Sequence, residues 1–212
     1  MAESRRRVVT EQEVRQAARS GQKVLDPGAA IVTPAARDAA AALGVSLGPA
    51  PTPTLPAPQP AIPGPAAIVV GADHGGVALK DSVLEHLRKA GREVTDVGTF
   101  GTAAVDYPDF AAAVAHAVAS GKAQVGIMID GAGIGSCMAA NKVPGVRAAA
   151  CHDVTTATNA REHNHANVLT LGAGLLGTRL ALEVVDTFLR TPFGGGRHQP
   201  RVDKIDALDR RT

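Results

Sequence analysis

Ile127-Met128-Ile129-Asp130-Gly131-Ala132-Gly133-Ile134-Gly135-Ser136 is the stretch on which the fold turns. An apolar run ends in a carboxylate, three alternating glycines follow, and Cys137 to Lys142 reads as the start of a helix. A short apolar run bounded by turn residues is the pattern of a buried strand. The bare N–H groups of a strand–loop–helix turn make a place to hold an anion. The spacing is Gly-x-Gly-x-Gly, which is not the Gly-x-Gly-x-x-Gly of a dinucleotide fingerprint. The loop also follows the third strand of its region rather than the first.

Outward from this loop, residues 66–212 alternate strand and helix. Ile68-Val69-Val70, Glu93 to Val97, Val125 to Ile129, Val146 to Ala150 and Val168 to Leu171 read as strands. Leu79, Val83, Leu84 and Leu87 make one helical stripe, ending at Gly91. Phe110, Ala113, Val114, Ala117 and Val118 make a second, ending at Gly121, and Leu180, Val184, Val185 and Phe188 a third. The alternation predicts an α/β fold, a doubly wound, parallel, Rossmann-like sheet of about five strands. Ligands of such sheets bind at the carboxyl ends of the strands. Asp73-His74, Asp130 and His152-Asp153 fall there.

Residues 1–48 read as a small helical module. Thr10-Glu11-Gln12-Glu13 is a capping box ahead of a helix that ends at Gly21. Thr33-Pro34 sets a cap and an N1 proline before Ala36, Ala40 and Leu43, and Gly44 closes that helix. No internal repeat is read. Residues 49–65, which hold most of the 14 prolines, read as an extended linker.

Aromatic residues make up 2% of the 212-residue chain, so single-strand nucleic-acid binding on stacking platforms is excluded. A net charge of +2 leaves only local anion sites. Cys137 and Cys151 follow no metal-ligand spacing and are too few for a disulfide framework, which points to a reducing cytoplasm. No apolar run approaches the ~18 residues of a membrane span, and no signal peptide is read.

Four polar groupings carry the chemistry. Asp73-His74-Gly75-Gly76 can bring backbone and an imidazole to a phosphate or sugar oxygen, or can serve as a helix-capping turn. The Asp130–Gly135 loop is an anion or enediolate cradle or a tight turn. Arg161-Glu162-His163-Asn164-His165-Ala166-Asn167 puts two His and two Asn before a strand; with no zinc set completed nearby, it reads as acid/base work. Arg197 and Arg201, four apart after a glycine run, suit phosphate capture if the stretch is helical. Cys137, close behind the loop, is a further candidate.

Gly71-Ala72-Asp73-His74-Gly75-Gly76, Asp106-Tyr107-Pro108, Ala139 to Arg147, Glu162-His163-Asn164 and Gly195-Gly196-Arg197-His198-Gln199-x-Arg201-Val202 closely resemble the type B ribose-5-phosphate isomerases and the related galactose-6-phosphate isomerase subunits, over residues 67–211. The resemblance implies aldose–ketose isomerisation of a phosphorylated sugar with no metal and no organic cofactor. It also implies a homodimer, or a dimer of dimers, with composite sites at the subunit interface. By the family's pattern His163 opens the furanose ring. Asn164 and the amides of Gly131, Ala132, Gly133 and Gly135 steady the enediolate. His74, Arg197 and Arg201 hold phosphate, and Asp73 and Tyr107 line the sugar pocket.

Three departures qualify that pattern. Many members carry a Cys base where Asp130 stands, and Thr where Ala132 stands; others use a Glu at the position of Ser136; a third phosphate-holding Arg is Gly174 here. Two readings stay open. Asp130, a carboxylate at a loop mouth beside bound sugar, is the proton-transfer base, or the chain is a catalytically degenerate sugar-phosphate-binding or partner subunit. Val9 to Arg15 and Ile31 to Asp38 look like leader segments on enzymes of bacterial microcompartment operons, which implies recruitment to a shell or partner enzyme.

Overall fold

Thr10 and Thr33 start the two helices of the N-terminal unit in the same way. Each is an extended residue whose side chain accepts from the amide three residues on, and the Thr10 capping box is complete. The structure is a computed structural model, and it describes residues 7–28, 30–48 and 67–210. Two compact units divide between Thr54 and Leu55. The proline-rich stretch 49–65, expected to be a linker, lies outside the described residues.

The first unit runs β1 (Val8–Val9), α1 (Glu11–Arg19), β2 (Val24–Leu25), β3 (Ile31–Val32), α2 (Pro34–Leu43) and β4 (Ser46–Leu47). The four short strands add to the helices expected there. β1 pairs with β3 and β2 with β4, both parallel, with Val8 opposite Ile31 and Val24 opposite Ser46. The unit is therefore two copies of a strand–helix–strand piece. The absence of a repeat read from the sequence is corrected here: Val8-Val9-Thr10 and Ile31-Val32-Thr33 are equivalent. Val9, Val14, Ala36, Ala39, Ala40 and Val45 close a small core of its own.

The second unit runs β5 (Ile68–Ala72), α3 (Val77–Lys89), β6 (Val94–Asp96), α4 (Tyr107–Ala119), β7 (Val125–Asp130), α5 (Ile134–Ala140), β8 (Ala148–Ala150), α6 (Val154–Glu162), β9 (Val168–Gly172), α7 (Thr178–Arg190) and α8 (Gln199–Asp206). The five strands are all parallel, in the order β6-β5-β7-β9-β8. Strand alternation splits the core in two. Ile68, Val70, Ile127, Ile129, Leu169 and Leu171 face the apolar stripes of α3 and α7 and the Ala157 and Ala160 of α6. Val69, Met128 and Val168 face α4 and Ala140 of α5. Gly71 and Gly126 let α4 sit close on the sheet: a Cβ on either would meet Val114 at 2.8 or 2.5 Å. Among the described residues, no helix is long and apolar enough to cross a membrane.

Two boundaries differ from the sequence reading. α5 begins at Ile134, so Gly135 stands in its first turn rather than in a loop that runs to Ser136. α6 was not expected; its short Ala157–Ala160 contact face gives no apolar stripe. From β5 the chain goes outward to β6, then returns across to β7. The crevice at the carboxyl ends of β5 and β7 is thus the switch point, where such sheets bind ligands.

Candidate functional site

Asp73 and Asp130 end adjacent strands at that switch point, and the Asp73 amide donates to the Ile129 carbonyl at 3.1 Å. Asp73 Oδ1 accepts from the amides of Gly75 (2.9 Å) and Gly76 (3.0 Å), which closes the turn into α3. His74 leans across the loop from β6 to α4, its Nδ1 3.2 Å from the Val105 carbonyl oxygen. The Tyr107 ring lies against Gly135, where a Cβ would meet the phenol at 2.6 Å. Asp73, His74, Tyr107 and the 130–135 turn thus gather on one rim.

Asp130 is almost fully buried, at 4% exposure. Its Oδ1 accepts from the amides of Ala132, at 2.9 Å, and Gly133. Its Oδ2 accepts from the Ser136 amide, at 3.1 Å, and from the Ser136 hydroxyl. The carboxylate therefore occupies part of the amide cradle that the sequence assigns to an incoming anion. Ser136, which is no base, acts as a donor that orients Asp130. The first-turn amides of Ile134 and Gly135 have no acceptor within their own helix.

The turn itself is seated on the segment after β9. The Ala173 and Gly174 amides donate to the Asp130 and Gly131 carbonyls at 2.7 and 3.0 Å. A Cβ at Gly174 would lie 3.0 Å from the Gly131 oxygen, and one at Gly172 2.7 Å from Ala132. Glycine in place of the expected arginine therefore accompanies tight loop-on-loop packing. Cys137 is withdrawn as a candidate: its Sγ points to the Ala148 carbonyl, at 3.3 Å, and burial raises its pKa. Burial likewise pushes the Cys151 thiol up to about 12.

His163, Asn164, Arg197 and Arg201 form a separate group. The rings of His163 and His198 stack with centroids 4.2 Å apart, and the Gly194 amide donates to the Glu162 carbonyl at 2.9 Å. Arg197 and Arg201 are exposed, Arg197 in the short turn that leads into α8 and Arg201 within α8. Positive φ at Gly195 and Gly196 makes that turn. His165 differs in kind: it stacks on Phe193, and burial and then Arg147 and Arg161 pull its pKa down to about 4. The stack on Phe193 and the lowered pKa set His165 apart as a packing residue.

The two groups lie at opposite ends of the sheet. Asp130 pairs with Gly172 at the carboxyl end of β9, whereas His163 precedes Val168 at its amino end. Five strand residues separate these levels by roughly 16 Å. Among the described residues, no hydrogen bond, ion pair or ring contact joins the groups. Phe100, Tyr107, Ile134 and Leu175 stand exposed around the first group, and Ile205 and Leu208 are exposed on the C-terminal segment that carries Arg197 and Arg201. A cavity of about 810 Å³ beside Val69, Val97 and Val143 contains none of the expected site residues.

The model of the family described as Ribose/Galactose Isomerase matches residues 68–205. The chain belongs to this family. It is 44% identical over 144 residues to ribose-5-phosphate isomerase B of Escherichia coli, across 68% of this chain and 97% of that one. It is 44% identical over 140 residues to D-erythrulose-4-phosphate isomerase of Pectobacterium atrosepticum, across 66% and 92%. A solved Clostridium thermocellum ribose-5-phosphate isomerase B superposes with a TM-score of 0.68 at 50% identity, across 68% and 98%. The family region lies within the second unit.

Sequence reasoning missed Ser136 as the partner of Asp130, and it missed Asn159, whose amide nitrogen lies 2.9 Å from His163 Nδ1. Asn159 could have been found: it precedes His163 by one helical turn in a segment capped by Asp153.

Proposed function

We propose that the chain is an aldose–ketose isomerase interconverting D-ribose 5-phosphate and D-ribulose 5-phosphate, each site assembled from two copies of the chain. The observation that carries this reading is the separation of the Asp130 and His163 groups within one chain of an isomerase family. One copy would supply Asp73, His74, Tyr107, Asp130 and the 131–135 amides. The other would supply His163, Asn164, Arg197 and Arg201. The exposed apolar residues near each half-site support burial against a second copy.

In this mechanism His163 assists opening of the furanose. Asp130 takes the C2 proton of the open-chain aldose, the electron pair passes through to O1, and the enediolate forms. The proton returns to C1, and the hydroxyl proton moves from O2 to O1. The loop amides stabilise the oxyanion between these steps. Because the Asp130 carboxylate accepts from some of those same amides, substrate oxygens would replace it there and free it to act. Arg197, Arg201 and His74 would bind the phosphate.

Residues 1–48, with a core of their own, would serve as a docking module for a microcompartment shell or pathway enzyme. Removing residues 1–60 should then leave turnover intact and abolish that association.

The test is turnover over a panel of pentose, tetrose and hexose phosphates. D-ribose 5-phosphate should be converted, and activity should vanish in His163→Ala. An inactive wild type would instead favour the sugar-phosphate-binding or partner subunit.

A further inference from the structure

Asn159 makes a contact that neither the family pattern nor the proposed mechanism assigns. It lies on α6 one turn before His163. Its side-chain nitrogen is 2.9 Å from His163 Nδ1. An Asn amide can be turned either way, so its orientation has to come from its other bonds. Here Asn164 Nδ2 donates to Asn159 Oδ1 at 3.1 Å, and to the Asn159 backbone carbonyl at 3.3 Å. Asn159 Oδ1 is thus the accepting end, and its NH2 faces the imidazole. An NH2 group only donates, so His163 Nδ1 must carry the lone pair, and the proton of the neutral ring sits on Nε2. The far side of the ring agrees: the Glu162 carboxylate lies 3.8 Å from Nε2, too far for a hydrogen bond but on the side that favours an N–H. The His198 ring, stacked within 9° of parallel, fixes the plane.

We propose that Asn159 is a positioning residue that holds His163 as its Nε2–H tautomer and so makes it the hydrogen-bond donor in ring opening. The proposal rests on His163 being the ring-opening residue. In that step the C1–O4 bond breaks with its electron pair going to O4. The O1 proton leaves to water as the C1 carbonyl forms. Nε2–H stabilises the O4 alkoxide until water protonates it. A neutral imidazole can act as an electrophile in this way. The opposite tautomer would present a lone pair to O4 and could not. The ketose product has no such ring: its O5 carries phosphate, and closure through O4 would make a four-membered ring. Proton exchange at its C1 therefore bypasses the step.

The test uses the full chain with ¹⁵N-labelled histidine, His163 being assigned by the signals lost in His163→Gln. Long-range proton–nitrogen correlation of the neutral ring should show Nε2 protonated and Nδ1 bare. In Asn159→Asp, a carboxylate that only accepts faces Nδ1, and the pattern should invert. The same variant should convert D-ribose 5-phosphate at least about tenfold more slowly, while deuterium exchange from solvent into C1 of D-ribulose 5-phosphate stays within about twofold of wild type. Asn159→Gln, which can still donate, should recover part of the loss. A wild-type His163 protonated on Nδ1 would overturn the proposal. So would an inverted tautomer with unchanged aldose turnover, or equal loss of turnover and exchange. If the wild type turns over no sugar phosphate, the mechanistic reading fails while the tautomer is still measured.

Discussion

Asp130 accepts four hydrogen bonds from its own turn, and this decides what its substitutions do. Asp130→Ala should abolish turnover and also leave buried donors without an acceptor. An unfolding free energy lower by about 1–3 kcal/mol in urea should accompany the lost activity. Asp130→Cys should regain measurable turnover, since a thiolate can serve as the base. A fully active Asp130→Ala would remove it from that role. His165 carries a second prediction. Its folded pKa of about 4 lies below the ordinary 6.5, so the unfolded chain binds more protons between those values. Its contribution to stability is present in full above about pH 6.5 and is lost as pH falls towards about 4. His165→Asn tolerates the positive φ of 49° and cannot titrate, so this part of the acid destabilisation should disappear from its denaturation midpoints. Residue type alone did not distinguish His163 from His165; only the resemblance singled out His163. Both are polar residues before a strand, and in the structure the stack on Phe193 separates them. The placement of Asp73 and His74 was legible, because a strand end and a glycine turn fix backbone position whatever the surrounding side chains do; Tyr107, at the start of α4, came from the resemblance alone.

At the scale of elements, α4 approaches the sheet over two glycines. A Cβ at Gly126 would meet Val114 Cγ1 at 2.5 Å, with Val118 and Val168 each at 3.2 Å. Gly126→Ala should therefore cost about 1–3 kcal/mol by overpacking, and adding Val114→Ala should return much of it. Equal, additive losses in a double-mutant cycle would mean that Val114 is not the residue that clashes. The long strands and helices were readable because apolar stripes and glycine stops agree with one another, as at Leu79 to Gly91. α6 was not, because its buried face consists of Ala157, Ala160 and Arg161. The repeat in the first unit escaped because each strand is only two residues long, and its two helices share little beyond a threonine cap. The start of α5 was read late because a glycine-rich first turn looks like loop until Asp130 is seen to hold the Ser136 amide.

For the whole molecule, the α/β sheet and the family were accessible from ordered short stretches of sequence, and composite sites were implied by the resemblance alone; residue patterning did not show which residues stand at which end of the sheet. Which end of the sheet a residue occupies depends on the direction of α6, and that helix carried no periodic signal. Once it is in place, His163 lies a full strand length from Asp130, and under the proposed mechanism one sugar would need each residue from a different copy. Two inactive chains should therefore repair each other. A dimer of Asp130→Ala with His163→Ala contains one site with both residues intact and one with neither. Equal parts of the two variants, after subunit exchange, should recover about a quarter of wild-type turnover of D-ribose 5-phosphate. If exchange is verified and the mixture stays as inactive as either variant alone, the site is not shared between copies.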